Sequence, residues 1–427
     1  MKKAQITVFI IIGVVLLLGV ALLIYVAALT PEQKSETEIV SQSLRQSAVK
    51  PVKDYVVSCL EVVSNDALEL IGKQGGRLFV SQGGITPDPV DSDLGIRFLE
   101  YDYVLLPYSI VPPEGTAGIF FSSVPKYPWE KFPYLDNNVS DIGFFGLVQF
   151  PALYREIDGV PVANSVQEQL ETYISNNIGK CTIWHNKFPG FNLTLGTPNT
   201  TMIIAENLTH LKQEEYISFV LNWPVTITEE TSGASVVLDE FQVKYSLPFG
   251  RIYYTVKDLL EQDVSNISYE PKTSNSYFIT IDRDVFNNDD VIIYQDSKYK
   301  LNAEPYEFRV ARKNRAPALY FIDQEKIDQF AYCVNIVKFV LSGGNLIASP
   351  DLENDDSFPI KVYAVDPDDD VVSIKLKPKN PEVDEYAVAL YAANPESGGL
   401  LFDVVASDGE LDDFQKIRII PKGCEQK

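Results

Sequence analysis

The chain has 427 residues, a formal net charge of −23 and 45% hydrophobic residues, with 23 tyrosines and 23 phenylalanines. An acidic chain without a basic run excludes a nucleic-acid surface, and one so rich in aromatics is not a disordered polymer. Its length allows two or three domains.

The first element is Ala4–Thr30, 27 residues without a charge. Hydrocarbon is about 30 Å thick, and a helix of about 20 apolar residues crosses it. Residues 6–29 are therefore expected to meet membrane lipid as one helix, because backbone without water must bond to itself. Lys2 and Lys3 precede the run, and Glu32, Lys34, Glu36 and Glu38 follow it. This asymmetry keeps the N-terminus cytoplasmic and puts everything after Pro31 outside the cell. A cleaved secretory signal is the rival reading, but its apolar core spans roughly 7–15 residues.

Residues 31–76 read as a stalk and an amphipathic helix. Pro51 suits the first helical turn, Val52, Val56, Cys59, Leu60 and Val63 recur at helical spacing, and Gly72, Gly75 and Gly76 supply the stop. Prolines from Pro87 to Pro133 then exclude helix over most of the stretch to about Ala163, leaving short strands such as 97–105 and 118–122. Ser165 to Glu168 forms a capping box and opens a helix carrying Leu170, Ile174, Ile178 and Cys181 on one face. Strands are expected at 191–195, 200–205, 216–228 and 234–245, a helix over 252–264, and strands at 277–281, 291–294 and 306–310. Helices segregated from antiparallel strands make residues 77–313 an α+β extracellular domain. A boundary falls at Lys313-Asn314-Arg315-Ala316-Pro317.

Four cysteines are scattered along the chain, at Cys59, Cys181, Cys333 and Cys424. No CxxC pair exists, so a redox motif or zinc ribbon is excluded. Outside the cell the spacing points to two disulfides. Cys59 and Cys181 each sit on the apolar stripe of a predicted helix, so these helices are expected to pack and join; two buried thiols are the alternative. Cys333–Cys424 is the remaining pair. N-x-Ser/Thr sequons at Asn138, Asn192, Asn199, Asn207 and Asn266 fit a glycosylated exterior.

Two stretches resemble known families. Lys2-Lys3-Ala4-Gln5, followed directly by a β-branched apolar run, resembles the class III signal of archaeal type IV pilin-like proteins. That resemblance implies cleavage between Ala4 and Gln5, with the apolar segment kept as an anchor or filament core. The fifth mature position, a Glu in pilins, is Phe9 here. Residues 314–427 resemble a cadherin-like or PKD-like Ig repeat through Asn314 to Pro317, Asp366-Pro367-Asp368 and Ala406-Ser407-Asp408-Gly409, with an extra apolar stretch from Phe330 to Leu346. The resemblance implies a terminal β-sandwich. The expected fold class is thus α+β: an N-terminal transmembrane helix in residues 1–30, an antiparallel α+β ectodomain and a C-terminal Ig-like β-sandwich.

Asp366, Asp368 and Asp370 crowd one turn and Asp408 lies in another. Such oxygen ligands suit Ca²⁺, which in cadherin-like modules rigidifies junctions. Ordinary Asp-rich turns are the alternative. Asp282, Asp284, Asp289 and Asp290 read as a solvated turn; no cofactor is assigned, with calcium as the one candidate. His185 and His210 are the only histidines and read as terminal or surface residues. No G-x-S-x-G, HExxH, Walker or G-x-G-x-x-G motif occurs, so no catalytic residue is assigned. The expected role is a single-pass, membrane-anchored surface protein with a structural or adhesive task, whose partners are lipid, other surface proteins or copies of itself. A pilin-like filament subunit and a tethered extracellular hydrolase or solute receptor are the alternatives.

Overall fold

A computed structural model describes residues 49–89, 97–112, 145–181, 187–205, 215–267, 269–320, 322, 337–342, 345–349, 358–378, 387–390 and 400–419. Helix α1 (Lys50–Lys73) carries Pro51 in its first turn, as the missing N–H of proline permits. It ends at Gly75 and Gly76, both with positive φ. Strands β1 (Phe98–Tyr101) and β2 (Val104–Val111) form a hairpin, followed by β3 (Leu147–Val148) and the small hairpin of β4 (Glu156–Ile157) and β5 (Val160–Pro161). Helix α2 (Val166–Cys181) opens on the Ser165 cap: Ser165 Oγ accepts the Glu168 N–H at 3.2 Å.

Next come β6 (Phe191–Leu195), β7 (Asn199–Ala205), β8 (Tyr216–Glu229) and β9 (Ser235–Tyr245). Helix α3 (Phe249–Ser265) precedes three long strands, β10 (Tyr277–Phe286), β11 (Asp289–Leu301) and β12 (Glu304–Arg312). The C-terminal strands are β13 (Ala318–Leu319), β14 (Val337–Ser342), β15 (Asn345–Ser349), β16 (Phe358–Lys361), β17 (Ala364–Val365), β18 (Ser373–Pro378), β19 (Ala387–Leu390), β20 (Leu400–Ser407) and β21 (Asp412–Ile419).

The chain divides into two units. The first comprises Met1–Glu61, Ile178–Asn199 and Val220–Val243. Within it Cys59 and Cys181 form a disulfide, with Cα atoms 5.7 Å apart. Tyr55 hydroxyl donates to the Cys181 carbonyl at 3.3 Å. Strand β6 runs antiparallel to the end of β8, with Phe191 opposite Glu229 and Leu195 opposite Val225. The buried Trp223 closes this edge by donating Nε1–H to the Gly196 carbonyl at 2.9 Å.

The second unit comprises Val62–Asn177, Thr200–Phe219 and Lys244–Lys427. Its main sheet has the order β1-β2-β12-β11-β10, with β3 on β2. Its pairings are antiparallel except that of β12 with β2. Leu99, Leu106, Tyr108, Val111, Val291 and Ala311 form one apolar cluster on it. The end of α1 packs flush against β12: a Cβ on Gly72 would lie 2.3 Å from the Glu307 carbonyl oxygen. The loop after α1 is pinned by Gln169, which is fully buried and uses its whole carboxamide. Its Oε1 accepts from Leu78 N–H at 2.6 Å and Thr86 Oγ1 at 2.7 Å, while Nε2 donates to the Gly76 and Asn164 carbonyls at 3.0 Å each. C-terminal strands group as β16-β15-β14-β19, as β18-β20-β21 and as the pair β13-β17.

The expected α+β class is overturned. The described residues hold twenty-one strands and only three α-helices, so β structure predominates. Helical periodicity located those three, but strands are more numerous and longer than alternation alone marks. A strand is completed by partners remote in sequence, and many here alternate weakly. The Phe330–Leu346 insertion contributes β14, paired to β15 in a hairpin. No helix among the described residues is long and apolar enough to cross a membrane. The expected span at residues 6–29 lies outside the described residues.

Candidate cation site and its charged support

The candidate site sits in the second unit, where the turn after β17, the turn between β20 and β21 and the β10–β11 hairpin meet. Asp366 opens the first turn: its Oδ1 accepts the N–H groups of Asp368 at 2.7 Å and Asp370 at 3.3 Å. Asp369 takes a left-handed conformation, φ 65°, which lets the turn reverse within this short span. Asp408 organises the second turn in the same way, its Oδ1 accepting Glu410 and Leu411 N–H at 2.7 Å each. Asn287 and Asn288, both with positive φ, make the two-residue hairpin loop. Asn288 Nδ2 reaches the Asp408 carbonyl at 3.4 Å.

These turns bring one carboxylate oxygen from each of Asp366, Asp370 and Asp408 within 4.8 Å of one another. That separation is on the scale at which carboxylates gather around one Ca²⁺ ion, whose Ca–O distances are about 2.4 Å. Oδ2 of Asp366, Oδ2 of Asp370 and Oδ1 of Asn314 are buried without a hydrogen-bond partner. Asp366 is only 5% exposed. Asn314 joins the group by donating Nδ2–H to Asp408 Oδ2 at 3.1 Å. Burial, then the Asp368 and Asp370 carboxylates, pushes Asp366 up to about 7. Burial, then Asp368, Asp290 and Asp408, pushes Asp370 up to about 6. An all-oxygen donor set with orphaned lone pairs fits a hard divalent cation.

Asp368, grouped with these residues in the sequence, faces elsewhere. Its carboxylate receives Arg315 N–H at 2.8 Å, Nε–H at 3.0 Å and Nη2–H at 2.7 Å. Arg312 Nε lies 2.9 Å from the same carboxylate. Arg312 also donates to Asp263 at 2.8 Å and to Asp290, while Arg315 Nη2 lies 2.7 Å from Asp263 Oδ1 as an ion contact. Arg315 further donates to the Phe145 and Pro367 carbonyls. All five charged residues are buried, Arg315 completely. Burial works against the Arg312 cation, but Asp368, Asp263 and Asp290 outweigh it and hold its pKa above the usual value. Burial raises Asp290, and Arg312 opposes that rise.

Asp289 and Asp290 are thus not the solvated turn the sequence suggested. Both are almost fully buried, with Asp289 accepting from Tyr108 hydroxyl and from Asn314 N–H. Asp263, Arg312 and Arg315 were missed altogether, although two carried a signal. Arg312 is in phase with the buried Tyr306, Phe308 and Val310 along β12, and Asp263 lies on the apolar stripe of α3 beside Leu259 and Leu260. A charge on a buried face calls for a buried partner.

Asn192, Asn199 and Asn266 are exposed. Asn138, Asn207, Cys333, Cys424, His185, His210, Ala4 and Gln5 lie outside the described residues. Compared with family models, curated proteins and solved structures, the chain matches none.

Proposed function

We propose that this chain is a cell-surface protein, tethered to the membrane by its apolar N-terminal stretch, with a structural or adhesive role. The observation that carries the reading is the Cys59–Cys181 disulfide. Such bonds persist in oxidising compartments, outside the cytoplasm. The uncharged run 4–30 behind two lysines and the exposed sequons at Asn192, Asn199 and Asn266 support the same placement. The buried Arg312, Arg315, Asp263, Asp290 and Asp368 group supports a rigid support rather than a moving one. It ties the ends of α3, β11 and β12 to the turn after β17.

We further assign Asp366, Asp370 and Asp408 as ligands of a divalent cation, with calcium as the ion. Carboxylates from two turns held by one ion would stiffen this end of the chain. Partners in this reading are lipid at residues 6–29 and other surface proteins or copies of the chain.

Two measurements on protein from native membranes test the reading. Protease added to intact cells should remove residues after Pro31; a protected chain sinks the surface placement. Negative-stain microscopy of the same material should show separate particles, whereas helical filaments would replace the tethered role with a pilin-like one. For the ion, calcium added to chelator-treated protein should raise the melting temperature of the wild type and not of D370N/D408N. An equal response in both would remove the assignment.

A further inference from the structure

Helix α3 gives way at Asn266, the first residue of the sequon Asn266-Ile267-Ser268. Its backbone N–H still donates to the Gln262 carbonyl at 3.0 Å, while its own φ of −137° and ψ of 109° are already extended. The chain then turns at once, because Tyr269 N–H donates to the Asn266 carbonyl at 2.9 Å. Asn266 is exposed on this turn, whereas Asn192 and Asn199 lie in strands β6 and β7. A surface loop is where an acceptor asparagine belongs.

Asn266 also forms part of the wall of a cleft of about 410 Å3, completed by Tyr269, Glu270, Lys272 and Tyr277. That volume falls within the range of small-ligand pockets, about 300–1,000 Å3. The turn at Asn266 brings in the first aromatic ring. The sheet holds the second: Tyr277 opens β10, and its ring stacks on the buried Tyr294 with centroids 5.0 Å apart at 29°. Ser274 N–H donates to the Tyr277 carbonyl at 3.0 Å and folds the intervening loop back on the strand. Both lining tyrosines are half-buried, and Glu270 and Lys272 are exposed. Aromatic faces suit the C–H face of a sugar ring, while an ammonium donates to its hydroxyl groups and a carboxylate accepts from them. With one charge of each sign, the lining does not select for an ionic ligand.

We propose that Asn266 carries an N-linked glycan whose first sugar occupies this cleft, packed on Tyr269 and Tyr277 and hydrogen-bonded to Lys272 and Glu270. The inference rests on the surface placement proposed above. The donor is a lipid-linked glycosyl phosphate. Its C1–O bond to phosphate breaks as the C1–Nδ2 bond forms, the amide gives up one proton and the lipid phosphate leaves. Because the sugar is tethered to the cleft wall, its effective concentration there is high and weak contacts suffice to seat it. Once seated, it braces the turn between α3 and β10.

The test uses the full chain from native membranes. Mass spectrometry of the peptide containing Asn266 should show a glycan on it. Melting temperatures are then compared for wild type, Tyr269→Leu, Ser268→Ala and the double variant, all made in the native host. Ser268→Ala destroys the sequon and leaves Asn266 in place. Tyr269→Leu should cost the glycosylated chain about 2–4 °C more than it costs the Ser268→Ala chain. Tyr269→Phe keeps the ring and should show no such excess. Lys272→Ala, at an exposed position, gives the same comparison without disturbing a packed ring, and its cost should also depend on the sequon. An unmodified Asn266 would overturn the proposal, as would shifts that are the same with and without Ser268→Ala. Neither result bears on the surface placement, which protease added to intact cells decides separately.

Discussion

Arg315 and Asp368 meet through three hydrogen bonds, the arginine giving its backbone N–H and both Nε–H and Nη2–H to one carboxylate. Neither residue retains solvent contact worth counting, at 0% and 1% exposure. Removing one member strands the other as a buried charge, which costs about 3–5 kcal/mol. Arg315→Met should therefore lower the melting temperature sharply and make the segment around residues 366–370 sensitive to protease. Arg315→Lys keeps the charge but loses the planar fork, and it should recover only part of the loss. A wild-type melting curve for Arg315→Met would refute the role assigned to this pair.

The disulfide closes a loop spanning 122 residues. In the chain-entropy picture such a cross-link stabilises by about 4–5 kcal/mol. Cys59→Ser with Cys181→Ser should shift the denaturation midpoint downward by a corresponding amount. Wild type treated with reductant should move toward the double variant, and the variant itself should not respond to reductant.

Asp413 supplies a pH dependence of defined sign. Burial pushes its carboxyl up to about 7, despite hydrogen bonds from Leu319 and Phe414 N–H that favour the anion. The unfolded chain ionises this group near 3.8. Between these values the unfolded state sheds a proton that the folded state keeps. The contribution of Asp413 to stability is therefore full below pH 3.8, falls as pH rises toward 7, and is flat above. Asp413→Asn retains an acceptor for Leu319 N–H without the buried charge. The variant should be more stable than wild type at pH 8, by at most about 4 kcal/mol from 1.36 kcal/mol per pKa unit. The difference should shrink as pH falls toward 4. A difference independent of pH would show that ionisation of Asp413 is not involved.

Gly72 tests the packing of α1 on β12. An added methyl would press on the Glu307 carbonyl at 2.3 Å and on the Tyr306 hydroxyl at 3.0 Å. Helix propensity favours alanine over glycine by roughly 1 kcal/mol, yet backbone cannot yield as a side-chain end does. Overpacking of this kind costs typically 1–3 kcal/mol, so Gly72→Ala should be destabilising in thermal melts. A stabilised variant would mean that helix and strand separate freely.

Legibility differed by element. Helices α1, α2 and α3 declared themselves because a helix carries its own hydrogen bonds and prints its buried face every three or four residues. Cys59 and Cys181 could be matched for the same reason, each lying on such a face. The sheets were read less well. β14 and β15 looked like an insertion within a short-strand module, because nothing local reveals which remote strand completes a ladder. At the cation site the sequence showed the acids but not their division of labour. Asp366, Asp370 and Asp408 converge, while Asp368, two residues from Asp366, turns to Arg315.

By itself the sequence determined composition, charge, the uncharged N-terminal run, three helices and the pairing of two cysteines. All of these depend on neighbours within a few turns or on counting. Only tertiary structure decided the predominance of β structure and the burial of Asp263, Asp290, Arg312 and Arg315. It alone decided which aspartates share a point in space and that Tyr269 and Tyr277 gather beside Asn266. These properties arise between groups tens to hundreds of residues apart, where pairing depends on how the chain closes on itself and on which charges that closure removes from water.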